Sequence, residues 1–292
     1  MYIGRFAPTP SGPLHFGSLI TAVASYLDAK AQGGQWLVRI EDIDTPRVMR
    51  GAADDILRTL ERFGLHWDGT VIYQSQRLDV YRNALNQLAA HSYPCSCSRQ
   101  ELHDHCKMGR YGPIYSGTCR TQAQHPAREM AIRLRTHNTA IYCSDAIQDA
   151  YAQCLESEIG DFNLLRRDGY YSYHLAVVVD DAAQHISHVV RGYDLLDSTP
   201  RQIYLQQCLG YNTPHYAHVP IALDEQGQKL SKQNHAAALN NKHILQQLLA
   251  ALVFLGQPTI EFNTPKSILE NAIKSWRIAT VPQRTQMMPI KY

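Results

Sequence analysis

Apolar residues fall along this chain in short, well-separated blocks. Ile3 to Ala7 is a compact apolar run that stops at Pro8, which predicts a short buried strand. From Ser18 to Gln32, Leu19, Ile20, Val23, Tyr26 and Leu27 recur at helical spacing, and Gly33-Gly34 closes the segment as a helix C-terminus. Trp36 to Ile40 predicts the next strand. Strand, helix and strand within about forty residues make a βαβ unit, which implies a parallel sheet. Two further helices are predicted. Ala52 to Phe63 carries Ile56, Leu57, Leu60 and Phe63 on one face, and Leu78 to Ala90 carries Tyr81, Leu85 and Leu88.

The periodicity weakens near Tyr93. From there to about Ser172 the chain holds a cysteine cluster and many His and Gly, and it reads as an insertion in an α/β domain. His174 to Asp180 is a continuous apolar run, read as a strand buried on both faces. Ile186 to Val190 predicts another strand, and Pro200 to Leu209 a helix. Patterning then becomes helical only. His243 to Leu255 places Ile244, Leu245, Leu248, Leu249, Leu252 and Val253 on one face and ends at Gly256. The expected blocks are 1–92 and 173–234 for the two halves of an α/β domain, 93–172 for the insertion, and 235–292 for a helical C-terminal part.

Length and composition narrow the class. The chain has 292 residues, 45% hydrophobic and 18% charged, as in ordinary globular enzymes. A net charge of +2 excludes a strongly polybasic protein, so nucleic-acid contact must use local patches. No apolar run approaches the roughly 20 residues of a membrane span, and the N-terminus resembles no targeting segment. A cytoplasmic protein with no membrane contact and no obligate protein partner is expected. Seven cysteines, an odd and unevenly spaced set, suit reduced thiols and a metal site better than disulfides.

The candidate chemistry begins at Pro8-Thr-Pro-Ser-Gly-Pro-Leu-His-Phe-Gly-Ser18. This Pro- and Gly-broken loop delivers His15, Gly17 and Ser18 to a helix start, where unpaired N–H groups can meet phosphate. Far downstream, Lys229-Leu-Ser-Lys-Gln233 offers two lysines able to clamp the phosphates of a leaving pyrophosphate. Either motif alone is a common surface pattern.

Together they resemble the paired signatures of class I aminoacyl-tRNA synthetases. His15-Phe-Gly-Ser18 is similar to the His-Ile-Gly-His element, and Lys229-Leu-Ser-Lys-Gln233 to the Lys-Met-Ser-Lys-Ser element. Arg5-Phe-Ala-Pro-Thr-Pro-Ser-Gly12, Arg39-Ile-Glu-Asp-Ile-Asp44 and Val178-Val-Asp-Asp181 match the glutamyl-tRNA synthetase catalytic core, in the same order. An anticodon-binding domain is not expected within this length. Its size and cysteine cluster resemble the glutamyl-queuosine tRNA(Asp) synthetase family of truncated paralogues. The resemblance implies a Rossmann-like catalytic domain with a zinc-bearing insertion. It also implies tRNA-independent activation of L-glutamate by ATP, with Mg²⁺ accompanying the nucleotide, followed by transfer to queuosine in tRNA(Asp).

It assigns residues as well. Arg5, Ala7 and Thr9 line the glutamate pocket, Glu41 holds the amino group, and Tyr173 and Arg191 add contacts, Arg191 to the side-chain carboxylate. His15 and Lys232 stabilise phosphate charge, and Gly17, Ser18, Lys229 and Ser231 complete the ATP site. The residues suit this chemistry, because a substrate with two carboxylates and one ammonium needs arginine and an acid. Without that context, Arg5 and Glu41 would read as an ordinary salt bridge. One departure stands out: Val177 occupies the position of the relatives' asparagine and cannot supply its hydrogen bonds. Gln233 likewise replaces a basic residue.

Cys95-Ser-Cys97 can bring two thiols to one tetrahedral zinc. The resemblance extends the set to Cys95, Cys97, Tyr115 and Cys119 around one structural Zn²⁺. His103, His105 or Cys106 of the intervening loop remain alternatives to Tyr115. For tRNA, basic groups occur at Arg128, Arg133 and Arg135, at Arg166-Arg167, and in the last thirty-two residues, with no signal among them that selects a docking surface.

Overall fold

The computed structural model of this chain describes residues 1–121, 128–224, 226–230, 237–259 and 263–288. The predicted βαβ unit is present: β1 (Ile3–Phe6), α1 (Phe16–Ala31) and β2 (Gln35–Ile40), with β1 and β2 parallel and Arg5 opposite Leu37. Then come α2 (Ala52–Arg62), the short β3 (Ile72–Tyr73), parallel to β2, and α3 (Leu78–Gln87).

The segment expected as an insertion holds antiparallel pairings. It comprises β4 (Ser92–Cys95), α4 (Arg99–His105), the hairpin of β5 (Lys107–Gly109) and β6 (Gly112–Ile114), and β7 (Ala131–Leu134). A second hairpin pairs β8 (Ala140–Cys143) with β9 (Tyr151–Cys154), and α5 (Leu155–Glu158) and β10 (Phe162–Leu165) follow. Strands β4, β7 and β10 form one sheet with β7 central.

The next element differs from the sequence expectation. His174 to Asp180 is not a strand but the middle of α6 (Tyr173–Ala183). A short apolar run fits a strand or a helix buried on all sides equally well. One local signal decides for helix: Ser172, whose Oγ accepts the Leu175 N–H at 3.3 Å as an N-cap, and the helix is buried continuously from Leu175 through Asp181. Beyond it lie β11 (His188–Gly192), α7 (Thr199–Leu209), β12 (His215–Val219) and β13 (Ile221–Ala222), with β11 and β12 parallel. Strand β11 packs beside β1, tied by the Ser187 N–H to the Ile3 carbonyl at 2.9 Å. The chain continues through α8 (Ile244–Phe254) and α9 (Pro265–Ser275) to β14 (Gln286–Met287), parallel to β13.

Two large cores result. One joins Leu19, Val23 and Leu27 of α1 to Trp36 and Val38 of β2, and it also takes in Leu248 and Leu252 of α8 and Leu269 of α9. The helical tail therefore packs on the helix that starts the site. Asp28 reinforces this junction, accepting from Tyr2 Oη and from Trp276 Nε1 at 2.9 Å. The other core lies under α3, α6 and α7. Among the described residues, no helix is long and apolar enough to cross a membrane.

Candidate active site

A cavity of about 540 Å³ opens at the carboxyl ends of β1, β2 and β11, where parallel α/β sheets bind ligands. Of the residues the sequence singled out, Arg5, Ala7, Thr9, His15, Gly17, Ser18, Glu41, Tyr173, Arg191 and Lys229 all line it. Ser231, Lys232 and Gln233 lie outside the described residues. Val177 is buried in α6 at 1% exposure and is not part of the cavity wall.

His15 enters as the N-cap of α1, its Nδ1 accepting the Ser18 N–H at 3.3 Å. In a neutral imidazole that leaves Nε2–H as the donor. The first turn of α1 carries no acid, so its positive end is not neutralised locally. Gly17 has a packing role besides ATP access. A Cβ there would sit 3.1 Å from His15 Cε1 and 3.3 Å from the Leu230 carbonyl oxygen. Its absence lets the imidazole and the lysine loop close on the helix start. That loop is fixed by the Leu230 N–H to the Ala222 carbonyl at 2.8 Å, and Lys229 pairs with Asp194, another cavity residue.

At the sheet end, Arg5 and Glu41 do not form the salt bridge that bare sequence suggests. Arg5 is 4% exposed, and its Nε donates to Asp181 Oδ1 at 3.3 Å. Among the described residues no hydrogen bond is formed by its two terminal nitrogens, so the guanidinium fork is left for a ligand. Glu41 instead meets Arg39 Nη2 at 3.3 Å. Arg39 is fully buried and also reaches Asp181 at 2.8 Å and Gln184 at 2.8 Å. Burial raises the Asp181 carboxyl, but Arg5 and then Arg39 outweigh it and hold it below its ordinary range. For Glu41 burial wins over both arginines, and its carboxyl is raised. A buried carboxylate in that state favours an arriving ammonium.

Arg191 is 3% exposed and heavily tethered: Nε to His218 Nε2 at 2.9 Å, Nη1 to Gln202 at 2.7 Å, and Nη2 to Thr199 Oγ1 at 2.8 Å and the Leu195 carbonyl at 3.2 Å. Tyr173 stands at the start of α6, its hydroxyl raised by burial. The sequence reading missed Arg39, Asp181, Asp194 and His218 as parts of this site. Asp181 lay within a quoted motif, but nothing local showed that it holds Arg5.

The cysteine cluster forms a second centre. The sulfurs of Cys95, Cys97 and Cys119 lie within 4.8 Å of one another, and Cys97 and Cys119 approach to 3.4 Å. Tetrahedral zinc with thiolates sets sulfurs ~3.8 Å apart, so the group fits a zinc-sized centre. The Tyr115 hydroxyl sits 3.4 Å from Cys95 Sγ and 3.6 Å from Cys97 Sγ. Cys106 packs beside the cluster without joining the three sulfurs, and His103 is exposed near Asp104. The His105 side chain lies outside the described residues. Burial, with the crowded thiols, pushes Cys97 up to about 12, a cost that a bound cation reverses by binding thiolate. Tyr115 is held from below: Gly160, at φ +75°, lies against its backbone, where a Cβ would come within 2.3 Å of the Tyr115 carbonyl oxygen. Arg133 covers its ring at 3.9 Å.

Comparison with known proteins agrees with this architecture. Residues 3–261 match the model of the family described as tRNA synthetases class I (E and Q), catalytic domain. A Neisseria meningitidis serogroup C protein named glutamyl-Q tRNA(Asp) synthetase is 50% identical over 99% of this chain and 100% of its own length. A Pseudomonas putida protein of the same name is 50% identical over 97% of this chain and 94% of its own. Among solved structures, a glutamate tRNA ligase from Elizabethkingia meningosepticum superposes with a TM-score of 0.82 at 24% identity. That likeness covers 97% of this chain but only 66% of the longer one, and it speaks for the fold. The chain belongs to the class I tRNA synthetases of the E and Q type, through their catalytic domain.

Proposed function

We propose that this protein activates L-glutamate with ATP without needing tRNA, and then transfers the glutamyl group to queuosine in the anticodon of tRNA(Asp). The observation that carries the reading is one shared cavity, lined by Arg5, the buried acid Glu41, the capped start of α1 and Lys229. The names of the relatives at 50% identity supply the queuosine and tRNA(Asp) part.

In the first step a glutamate carboxylate oxygen attacks the α-phosphorus of ATP. The bond to the β-phosphate bridging oxygen breaks, and pyrophosphate leaves. The Arg5 fork holds a carboxylate, Glu41 the ammonium, and Tyr173 and Arg191 close the pocket, with Ala7 and Thr9 in its wall. His15 donates through Nε2–H to phosphate oxygens, alongside the N–H groups of the α1 start at Gly17 and Ser18. Lys229, Ser231 and Lys232 meet the charge that develops on the leaving group, and Mg²⁺ enters as the ATP complex. In the second step a hydroxyl oxygen of the queuosine cyclopentenediol attacks the glutamyl carbonyl, and AMP leaves. No protein nucleophile is needed, because the adenylate is already an activated acyl group.

The test has two arms. ATP–pyrophosphate exchange that depends on glutamate and proceeds without tRNA is expected. Labelled glutamate should then load onto tRNA(Asp) carrying queuosine and not onto the same tRNA lacking it. Equal loading of both would point to 3′-end charging and sink the queuosine assignment, and absence of exchange would point to a non-catalytic RNA-binding role. Lys232→Ala should lower the exchange rate by roughly 10²-fold, the scale of losing one transition-state donor. An unchanged rate would remove Lys232 from the site.

We infer that Cys95, Cys97, Tyr115 and Cys119 hold one structural Zn²⁺. Four protein ligands leave no open position for chemistry, so the ion would brace the insertion. Elemental analysis should find about one zinc per chain, as one four-ligand cluster requires, and none after Cys119→Ala. A metal-free wild type would overturn this.

A further inference from the structure

We propose that Asp145 and His218 form a positioning pair that sets the orientation of Arg191, and with it the number of donors Arg191 offers to the substrate carboxylate. The inference rests on the glutamate-activation reading for its kinetic consequence, but not for its geometry. Asp145 follows β8 of the insertion, and His218 lies on β12 beside Arg191 of β11, so the pair links the insertion to the floor of the cavity.

The hydrogen bonds leave one arrangement. Asp145 Oδ1 accepts three backbone N–H groups, from Gln148 at 2.9 Å, Ile147 at 3.0 Å and His218 at 3.1 Å. Its Oδ2 faces His218 Nδ1. Burial works to raise this carboxyl, and the hydrogen bonds from His218 and the loop outweigh it, so Asp145 stays ionised. An ionised carboxylate at Nδ1 requires a proton on Nδ1. On the other side Arg191 Nε–H always donates, so His218 Nε2 must be the lone pair. His218 is therefore neutral, in its Nδ1–H tautomer. It is wholly buried, and burial pushes its pKa down to about 4. Thr199 Oγ1 lies 3.4 Å from Nε2 and the Tyr216 ring stacks at 6.2 Å, and the positive charges of Arg191 and Arg5 further disfavour a protonated ring.

The consequence falls on Arg191. With Nε on His218, Nη1 on Gln202, and Nη2 on Thr199 and Leu195, four of its five N–H groups are occupied. Among the described residues only one Nη1 hydrogen has no acceptor. Arg191 therefore gives the carboxylate a single charge-assisted bond, whereas Arg5 gives a two-pronged one. The direction of that one bond follows from the pose of the guanidinium, whose Nε edge His218 holds.

Asp145→Asn tests the chain with an almost isosteric change. Three backbone donors at Oδ1 force the amide oxygen into that place, which turns the NH₂ toward His218 Nδ1. The imidazole proton must then move to Nε2, against Arg191 Nε–H. Nitrogen-15 NMR of labelled protein should show wild-type His218 as the Nδ1–H tautomer between about pH 5 and pH 8, and as the Nε2–H tautomer in the variant. In pyrophosphate exchange the variant should raise KM for glutamate about 10- to 100-fold, leaving KM for ATP near wild type. Should Asp145→Asn fail to fold, His218→Asn keeps a donor for Asp145 and removes the Arg191 acceptor, and the same KM shift is expected. An Nε2–H tautomer or neutral-range titration of wild-type His218, or an unchanged KM in these variants, would overturn the proposal. Wild-type protein without glutamate-dependent exchange would instead defeat the functional reading, and the tautomer result would still stand or fall by itself.

Discussion

Arg5→Lys is expected to lower kcat/KM for glutamate in pyrophosphate exchange by about 10²–10³-fold, the scale of truncating one partner of a buried charge pair. The charge is kept, so the loss isolates geometry. Arg5 lines the cavity from the end of β1 and spends Nε on Asp181, while its two terminal nitrogens form no hydrogen bond among the described residues. A lysine ammonium cannot hold Asp181 and also take a carboxylate two-pronged. It would stay with Asp181, because that carboxylate is fixed and held ionised by Arg39. Exchange rates across glutamate concentrations, with a melting curve as control, check this. A loss below about tenfold, within the worth of one ordinary hydrogen bond, would take Arg5 out of carboxylate capture.

The pairing behind that prediction shows what sequence can and cannot deliver. β1, α1 and β2 were legible because each is a local pattern: an apolar run ended by proline, a helical stripe, and a glycine stop. The cavity residues became legible through motifs, since Arg5, His15 and Glu41 sit within forty residues, Arg5 near the end of β1, His15 at the start of α1 and Glu41 just past β2. The partner of Arg5 is 176 positions away, on α6. That helix reads as a strand because its burial on every side erases the amphipathic stripe, and only the Ser172 cap betrays it. Asp145 and His218 were invisible for a related reason. Neither lies in a motif, and their meaning arises where the insertion folds back against β12. The cysteine pair was legible by spacing and Tyr115 by resemblance, while the placing of its hydroxyl beside Cys95 and Cys97 rests on the packing around Gly160 and Arg133.

Glu41→Gln should separate stability from function in one substitution. Burial raises the Glu41 carboxyl despite Arg39 and Arg5, so without ligand its ionised form is a cost to the folded state. A carboxyl with a raised folded pKa supports stability at low pH and loses that contribution as pH rises from its unfolded value through the folded one. At neutral pH the neutral amide escapes this cost, and Arg39 keeps Asp181 and Gln184 as partners. The variant should therefore melt at or above the wild-type temperature near pH 7, with the difference shrinking as pH falls into the carboxylate range. Glutamate activation should fall by about 10²–10³-fold, because the substrate ammonium loses its buried counter-charge. Saturating glutamate should raise the melting temperature of wild type and leave that of the variant nearly unchanged, since only wild type gains from neutralising the acid. A variant that is less stable and fully active would mean that Glu41 serves Arg39 rather than the substrate. A residue retained at some cost to the ligand-free fold, at the mouth of a parallel sheet, is otherwise best explained by the ammonium it receives.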